Sequence, residues 1–181
     1  MSGKSKTGPR VAILTISDAG ARGERADTSG DTIAGWAQGR GYDQAARALV
    51  PDETTAIART LIEWCDQGSA DLVLTTGGTG LTPRDVTPEA TRSVLDRDAP
   101  GIAEAIRVSA LARFPRAALS RGVAGVRGRT LIINLPGSPG GVNDGLAVLE
   151  QWIDHAMDLV RGDRTAHDDP LPARPSARPP V

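Results

Sequence analysis

A glycine- and threonine-rich segment, Thr76–Gly80, begins at the last residue of the strand-like run DLVLTT at residues 71–76, and Arg84 and Asp85 come shortly after it. Glycines let backbone N–H groups approach an anion closely, and threonine hydroxyls supply further donors. A guanidinium can bind two phosphate oxygens at once, whereas a neighbouring carboxylate repels phosphate unless a cation lies between them. The spacing therefore predicts a phosphate-binding loop, with Asp85 as a ligand of Mg²⁺.

Structural alternatives stay open for the same residues. The glycines are also typical of a tight turn with positive φ at the end of a strand. Asp85 could pair internally with Arg84, or cap the helix that begins near Thr87, without contacting any ligand. Both explanations need only the protein's own atoms, so the sequence by itself does not choose between them and the phosphate-binding loop.

Three further polar loops follow predicted strands and could face the same ligand. Ser17 and Asp18 end the run VAILTIS, Asp52 lies in the PDE turn at residues 51–53, and the LPGSPGG loop spans residues 135–141. Each loop also has a structural explanation: a capping serine, a Pro-Asp turn at a helix start, and a rigid proline–glycine turn. In open α/β sheets, however, ligands bind beyond the carboxyl ends of the strands, where these loops would converge.

The amino-acid inventory excludes several other chemistries. The chain of 181 residues has one cysteine and two histidines, and its only lysines are Lys4 and Lys6. One cysteine and two histidines are too few to form a zinc-binding cluster. The expected folded part has no lysine that could form a Schiff base or a Walker-type phosphate clamp. Any metal would therefore be a hard, oxygen-bound ion, which favours Mg²⁺.

Charge and hydropathy narrow the range of partners. The formal net charge is −1 and the pI is about 6.1, so the chain lacks the cationic excess typical of nucleic-acid binding. No apolar run approaches the roughly 18 residues of a membrane-spanning helix. The single cysteine cannot form an internal disulfide, and the N-terminus has no signal-peptide pattern. We therefore expect a cytoplasmic protein that binds small molecules, and neither nucleic acid nor a membrane.

Strand-like and helix-like segments alternate along the chain. Strands are predicted at residues 11–17, 45–50, 71–76 and 130–134, helices at 31–40, 54–67, 102–112 and 142–160, a helix opening with Thr87 as hydroxyl N-cap, and a short hairpin within 117–129. The clearest strands are continuous apolar runs, which are typical of strands buried on both faces. This order predicts an α/β fold with three layers, α/β/α, around a mainly parallel sheet.

The chain length suits one domain. We expect that domain over residues 10–161, with a disordered extension at residues 1–9. The proline-rich tail at residues 162–181 has a composition typical of disorder as well.

Four pieces of the sequence, taken together in chain order, resemble one known family. LTISD, LVPDE, TTGGTGLTPRDVTPEAT and INLPGSPGG are similar to the motifs of a molybdenum-cofactor biosynthesis family. That family includes bacterial molybdopterin adenylyltransferase, MoaB-type proteins and the G domains of gephyrin-like proteins. The resemblance covers about residues 10–160. It implies a molybdopterin-binding α/β fold, commonly trimeric and sometimes hexameric, that adenylylates molybdopterin with Mg-ATP and releases pyrophosphate.

The resemblance also implies roles for individual residues. Asp52 and Asp85 match the family's catalytic and magnesium-linked aspartates. The positions that match its nucleotide-binding and pterin-binding loops are Ser17, Asp18, Thr76, Gly77, Gly78, Thr79, Gly80, Arg84, Pro136, Gly137 and Ser138. The implied partners are ATP and molybdopterin as substrates, further copies of the chain in a homotrimer or hexamer, and a molybdenum-insertion protein. A non-catalytic, MoaB-type molybdopterin-binding or carrier oligomer is the alternative.

Overall fold

Six strands form one sheet in the computed structural model, which describes residues 8–163. The strands are β1 (Arg10–Ile16), β2 (Asp43–Val50), β3 (Leu72–Thr76), β4 (Arg97–Asp98), β5 (Ala124–Arg127) and β6 (Thr130–Leu135). Their order across the sheet is β2-β1-β3-β6-β5-β4. The first four of these run parallel, and β5 and β4 extend the sheet in antiparallel pairing. The expected mainly parallel sheet is therefore confirmed.

Helices cover both faces of the sheet. In the described part of the chain they are α1 (Asp18–Ala21), α2 (Thr28–Gly39), α3 (Thr54–Asp66), α4 (Thr87–Arg92), α5 (Pro100–Leu111), a 3₁₀ turn (Pro115–Leu119), α6 (Pro139–Leu149) and α7 (Ile153–Arg161). The apolar residues of α3 and α4 pack against one face, and those of α2, α5, α6 and α7 pack against the other. The predicted α/β/α layering is confirmed as well.

The burial of β1 explains why its sequence is apolar throughout. Val11 and Ile13 belong to the core cluster on the α2 and α6 side, whereas Ala12 and Leu14 belong to the cluster on the α3 side. All four residues are fully buried. Successive side chains of a strand point to opposite faces, so a strand covered on both sides needs apolar residues at every position.

The pairing register brings four strand ends to one edge of the sheet. Thr15 of β1 pairs with Thr76 of β3, and Ile16 pairs with Val50 of β2. Thr76 in turn pairs with Leu135 at the end of β6. Because these strands are parallel, the loops that follow them leave the sheet side by side, at the edge where α/β sheets bind ligands.

The single helix predicted for residues 142–160 is wrong, because α6 and α7 are separated by a turn at residues 150–152. In this turn Trp36 Nε1 donates to Glu150 Oε1 at 3.0 Å, and the first residue of α7, Ile153, is fully buried. The turn lets both helices bury apolar residues in the same core cluster, which includes Leu146 of α6 and Ile153 of α7. The apolar repeat continues through the break, so the pattern contains no signal for it.

Two local expectations are also corrected. Val86, rather than Thr87, is the N-cap of α4, and the Thr87 hydroxyl donates to Gly77 O at 2.9 Å instead. The hairpin expected within residues 117–129 is formed by β5 and β6, which extends beyond that segment, and it turns at Gly128 with φ +57°. Helix α1 and the two-residue β4 are too short to produce a periodic pattern.

Disorder is expected from the sequence at residues 1–9 and 162–181, and of these only residues 8–9 and 162–163 are among the described residues. Pro9 O accepts a hydrogen bond from the Asp43 amide at 2.9 Å, so the chain joins the sheet just before β1. Within residues 8–163, no helix combines the length and apolar character that crossing a bilayer requires.

Candidate active site

The four loops at the carboxyl edge of the sheet contact one another. A Cβ atom on Gly137 would lie 3.2 Å from Gly77 Cα, and one on Gly78 would lie 2.9 Å from Asp52 Oδ1. The loops line a cavity of about 390 Å³, called here the first cleft. Of the predicted site residues, this cleft contains Ser17, Asp52, Thr76, Gly77, Gly78, Asp85, Gly137 and Ser138.

A second cleft of about 650 Å³ lies beside the first. The two clefts share Gly78, Asp85, Gly137 and Ser138. The second cleft also contains the predicted residues Thr79, Gly80 and Pro136, and α5 and the 3₁₀ turn give it an apolar wall that includes Ile106, Phe114 and Leu119. Two adjoining cavities that meet at Asp85 could hold two ligands in contact.

The glycines at the end of β3 are required by the backbone. Gly77 has φ +99° and Gly78 has φ +61°, both in the region that favours glycine. A Cβ atom on Gly77 would lie 2.1 Å from Ile16 O, and one on Gly78 would lie 2.4 Å from Thr87 Oγ1. The tight turn with positive φ is therefore confirmed. The same absence of side chains leaves the backbone open to the first cleft, and phosphate binding there stays a prediction.

Asp18 and Asp52 join the ends of β1 and β2 through reciprocal hydrogen bonds. The Asp18 amide donates to Asp52 Oδ2 at 2.8 Å, and the Asp52 amide donates to Asp18 Oδ1 at 3.0 Å. Arg84 adds a bidentate pair to Asp18, with Nε–Oδ2 at 2.9 Å and Nη2–Oδ1 at 2.8 Å. The internal partner of Arg84 is thus Asp18, and not the neighbouring Asp85. Asp18 and Arg84 lie just outside the lining of both clefts.

These contacts give the two aspartates opposite electrostatic character. Hydrogen bonds from Arg84 and from the Asp52 amide hold the pKa of the Asp18 carboxyl below its ordinary value. Burial raises the pKa of Asp52, and the negative charges of Asp18 and Asp85 raise it further, against the opposing effect of the Asp18 amide. Asp52 is therefore a partly desolvated carboxylate that a cation in the first cleft would stabilise.

Asp85 lies at the junction of the two clefts, and the loop that precedes it sets its orientation. The Thr82 amide donates to Asp85 Oδ2 at 2.8 Å, and the Asp85 amide donates back to Thr82 O at 3.0 Å. A Cβ atom on Gly80 would lie 3.0 Å from the same carboxylate oxygen. The alternative in which Asp85 caps α4 is not seen, because α4 has no side-chain cap.

Side chains from the parallel strands and α2 hold the loop after β6 in place. The Thr76 hydroxyl donates to Pro136 O at 2.6 Å, and the Ser29 hydroxyl donates to Gly137 O at 2.9 Å. Ser138 caps α6 by accepting from the Gly141 amide at 3.2 Å, just as Ser17 caps α1. Thr76 thus has an anchoring contact in addition to its place in the first cleft.

Several residues of the site escaped the sequence analysis. The first cleft includes Arg25 and Asp27, from the segment that leads into α2, and Ser29, from the first turn of α2. Asp27 is the N-cap of α2 and also accepts from Thr15 Oγ1 at 2.9 Å. An acidic residue before Thr-Ser-Gly is a recognisable helix-start signal that could have placed α2 three residues earlier. Arg121, described below, had no signal in the sequence.

Comparison with known proteins connects this geometry to a family. A family model described as "Probable molybdopterin binding domain" matches residues 12–155. The chain belongs to this family. The molybdopterin-binding domain is 55% identical to the molybdopterin biosynthesis enzyme MoaB of Thermus thermophilus, whose crystal structure superposes with a TM-score of 0.81. That match covers 85% of this chain and 97% of the Thermus chain.

Curated relatives fall into a short and a long group. The molybdopterin adenylyltransferase of Helicobacter pylori strain J99 is 38% identical over 155 residues, covering 84% of this chain and 88% of the relative. The molybdenum cofactor synthesis protein cinnamon of Drosophila melanogaster is 39% identical over 152 residues, covering 83% of this chain. The match spans only 25% of cinnamon, so this molybdopterin-binding domain corresponds to one part of that longer protein.

Proposed function

We propose that this protein catalyses the adenylylation of molybdopterin by Mg-ATP. The observation that carries the proposal is the meeting of two adjoining clefts at Asp85, with Asp52 on the wall of the first. One cleft can take the nucleotide and the other the pterin, so that the reacting phosphates come together beside both carboxylates. Relatives of matching length that are named molybdopterin adenylyltransferase support the same activity.

The proposed reaction transfers an adenylyl group between phosphates. A phosphate oxygen of molybdopterin forms a bond to the α-phosphorus of ATP, and the bond from that phosphorus to the bridging oxygen breaks. The products are adenylyl-molybdopterin and pyrophosphate, which takes the electron pair of the broken bond. The nucleophile is already an anion, so no general base is needed, and no histidine or lysine of the described residues lines either cleft. Positioning and charge stabilisation supply the rate enhancement.

The carboxylates fit a magnesium ion that the substrate helps to bind. No group of three or more acidic, histidine or cysteine side chains in residues 8–163 could hold a metal by itself. Mg²⁺ commonly binds to one or two carboxylates together with substrate phosphates, which is the donor set that Asp52 and Asp85 would complete. When bound, Mg²⁺ neutralises negative charge on the phosphates. The raised pKa of Asp52 is consistent with a carboxylate in need of such a cation.

The chain's own groups have separate roles in this proposal. The backbone of Gly77–Gly80 binds phosphate oxygens, as do the loops at Ser17 and at residues 136–138. Arg84 pairs with Asp18 just outside the lining of the first cleft, and its exposed guanidinium is available to a phosphate there. Asp18 holds Asp52 and Arg84 in position through the hydrogen bonds described above.

The assembly and cellular setting belong to the same proposal. We expect a homotrimer or hexamer, and two exposed apolar side chains of α5 that line neither cleft, Val108 and Leu111, are suited to a subunit contact. A molybdenum-insertion protein would consume the adenylylated product. The cytoplasm is the expected location, because the single cysteine is buried and unpaired in the described structure.

A non-catalytic molybdopterin carrier with the same clefts is the second candidate. A MoaB-type protein is among the relatives of this chain, at 55% identity to the Thermus structure, beside the Helicobacter adenylyltransferase at 38%. The decisive experiment incubates the purified protein with molybdopterin, ATP and Mg²⁺. Adenylyl-molybdopterin with an equal amount of pyrophosphate would support the enzyme. Saturable binding of molybdopterin without either product would support the carrier.

A further inference from the structure

Arg121 holds both ends of the loop that carries Arg84 and Asp85. It lies between the 3₁₀ turn and β5, and its backbone amide donates to Thr79 O at 2.9 Å. Its side chain donates from Nε to Gly80 O and from Nη2 to Asp85 O, both at 2.6 Å. One arginine therefore binds two carbonyls at the start of the loop and one at its end.

The geometry of the guanidinium suits this double contact. Nε–H and one Nη2–H point in parallel from the same edge, so the two acceptors, Gly80 O and Asp85 O, are held side by side. Nη1 donates to the Glu89 carboxylate on the first turn of α4, and Nη2 lies 3.4 Å from the second oxygen of the same group. Glu89 thus fixes the orientation of the guanidinium plane.

Apart from Arg121, an exposed ion pair between Arg84 and Asp18 ties the middle of the loop to the start of α1. Residues 81–84 are all exposed, and no helix or strand includes them. Its internal hydrogen bonds are those of a single turn, between Thr82 and Asp85. A segment with so few buried contacts opens at low cost unless its ends are fixed from outside. Arg121 fixes both ends of the loop, which the Arg84–Asp18 pair does not do.

We infer that Arg121 is a positioning residue, which keeps the Asp85 carboxylate at the junction of the two clefts by clamping the loop at Gly80 and Asp85. Arg121 lines neither cleft, so it acts through the loop rather than on a ligand. The effect on catalysis rests on the adenylyl transfer proposed above, whereas the clamp itself is a property of the loop.

Arg127 provides a matched control for this inference. It forms the same kinds of contact, with a bidentate pair to Asp66 at 2.9 Å and 2.9 Å and a hydrogen bond to Val94 O at 2.9 Å. Its side chain is about as buried as that of Arg121, with 23% and 32% exposed respectively. Arg127 lines neither cleft, and its side chain donates to Asp66 and Val94 rather than to the loop at residues 80–85.

The experiment measures hydrogen exchange of the peptide covering residues 79–86 in the full-length protein, together with turnover at varied Mg²⁺ and ATP. Arg121→Ala and Arg121→Lys are compared with Arg127→Ala. We expect several-fold faster exchange in both Arg121 variants, because lysine keeps the charge but cannot bind two carbonyls from one edge. Their kcat should fall by about tenfold to a hundredfold, with more Mg²⁺ needed for half-maximal activity. Added methylguanidinium should restore part of the turnover rate of Arg121→Ala, and should not raise the rate of Arg121→Lys or Arg127→Ala.

The outcomes separate the clamp from the proposed function. Exchange in Arg121→Ala that matches wild type, or that matches Arg127→Ala, would overturn the clamp whatever the activity. A second outcome is faster exchange in the Arg121 variants while the wild-type protein forms no product. That outcome would support the clamp and count against adenylyl transfer. Faster exchange with undiminished turnover would show that the clamp does not position Asp85 for catalysis, which overturns the inference.

Discussion

Asp18 and Asp52 hold each other by exchanging hydrogen bonds between one residue's backbone amide and the other's carboxylate, at 2.8 Å and 3.0 Å. This exchange fixes the end of β1 to the end of β2 and leaves the second oxygen of Asp52 against Gly78. Arg84 compensates the charge of Asp18 and leaves Asp52 as the less compensated member of the pair. The site thus separates a structural aspartate from one that is available to a cation.

The Asp52→Asn substitution should stabilise the fold while it removes activity. Burial raises the pKa of Asp52, so the folded protein binds this proton more tightly than the unfolded chain does. Below the ordinary pKa of aspartate, protonated Asp52 makes its whole contribution to the free energy of unfolding. That contribution is lost as the pH rises through the raised pKa. Asparagine keeps an acceptor for the Asp18 amide without the charge, and turnover should fall by about a hundredfold or more.

Melting curves at several pH values test the Asp52 account. The variant should melt at a higher temperature than wild type at neutral pH, and the difference should shrink as acid protonates Asp52 in the wild type. Wild-type turnover should decline on the acid side at a higher pH than an ordinary aspartate would cause. A variant that is less stable than wild type at neutral pH would show that the Asp52 charge is already compensated.

The Arg84→Ala substitution should weaken ATP binding with little effect on stability. The Arg84 side chain is 58% exposed, and exposed ion pairs add little to stability. Charge-assisted hydrogen bonds to phosphate are stronger, so we expect KM for ATP to rise by about tenfold or more. Arg22→Ala is the control, since Arg22 forms an equally exposed bidentate pair with Glu24 outside both clefts. Equal KM values in the two variants would exclude a phosphate contact by Arg84.

The Gly77→Ala substitution should destabilise the fold more than Gly41→Ala does. Both glycines have positive φ, at +99° and +72°. Alanine at Gly41 meets nothing within 4 Å, so only the backbone conformation costs free energy, about 1 kcal/mol. Alanine at Gly77 also approaches Ile16 O, and we expect a loss of roughly 2–4 kcal/mol in the free energy of unfolding. Urea denaturation of both variants measures the difference, and equal losses would contradict the close approach.

Much of the fold could be predicted because its signals are local. The apolar runs that became β1, β3 and β6 are buried on both faces, so their composition alone predicts a covered parallel sheet. The strands also locate the site, since parallel pairing carries Ser17, Asp52, Gly77 and residues 136–138 to one edge. The break between α6 and α7 could not be predicted, because Ile153 continues the same apolar repeat on the other side of the turn.

Contacts between distant residues account for most of what the sequence analysis missed. Arg84 pairs with Asp18, which lies 66 positions earlier in the chain, instead of with its neighbour Asp85. Arg121 reaches Gly80 O across 41 positions. One of several arginines in a Gly- and Arg-rich segment has no spacing that indicates such a partner. Only the folded chain brings these groups together, so residue types predict the loops at the site but not the side chains that hold them.

The release of pyrophosphate by the Asp85→Asn variant, compared with wild type, tests the central claim most directly. Asparagine keeps an oxygen for the Thr82 amide, so the loop should stay in place and the melting temperature should be unchanged. With molybdopterin, ATP and Mg²⁺ present, we predict that wild type releases pyrophosphate and that the variant releases it at least about a hundredfold more slowly. Equal rates in the two proteins would contradict the proposed role of Asp85.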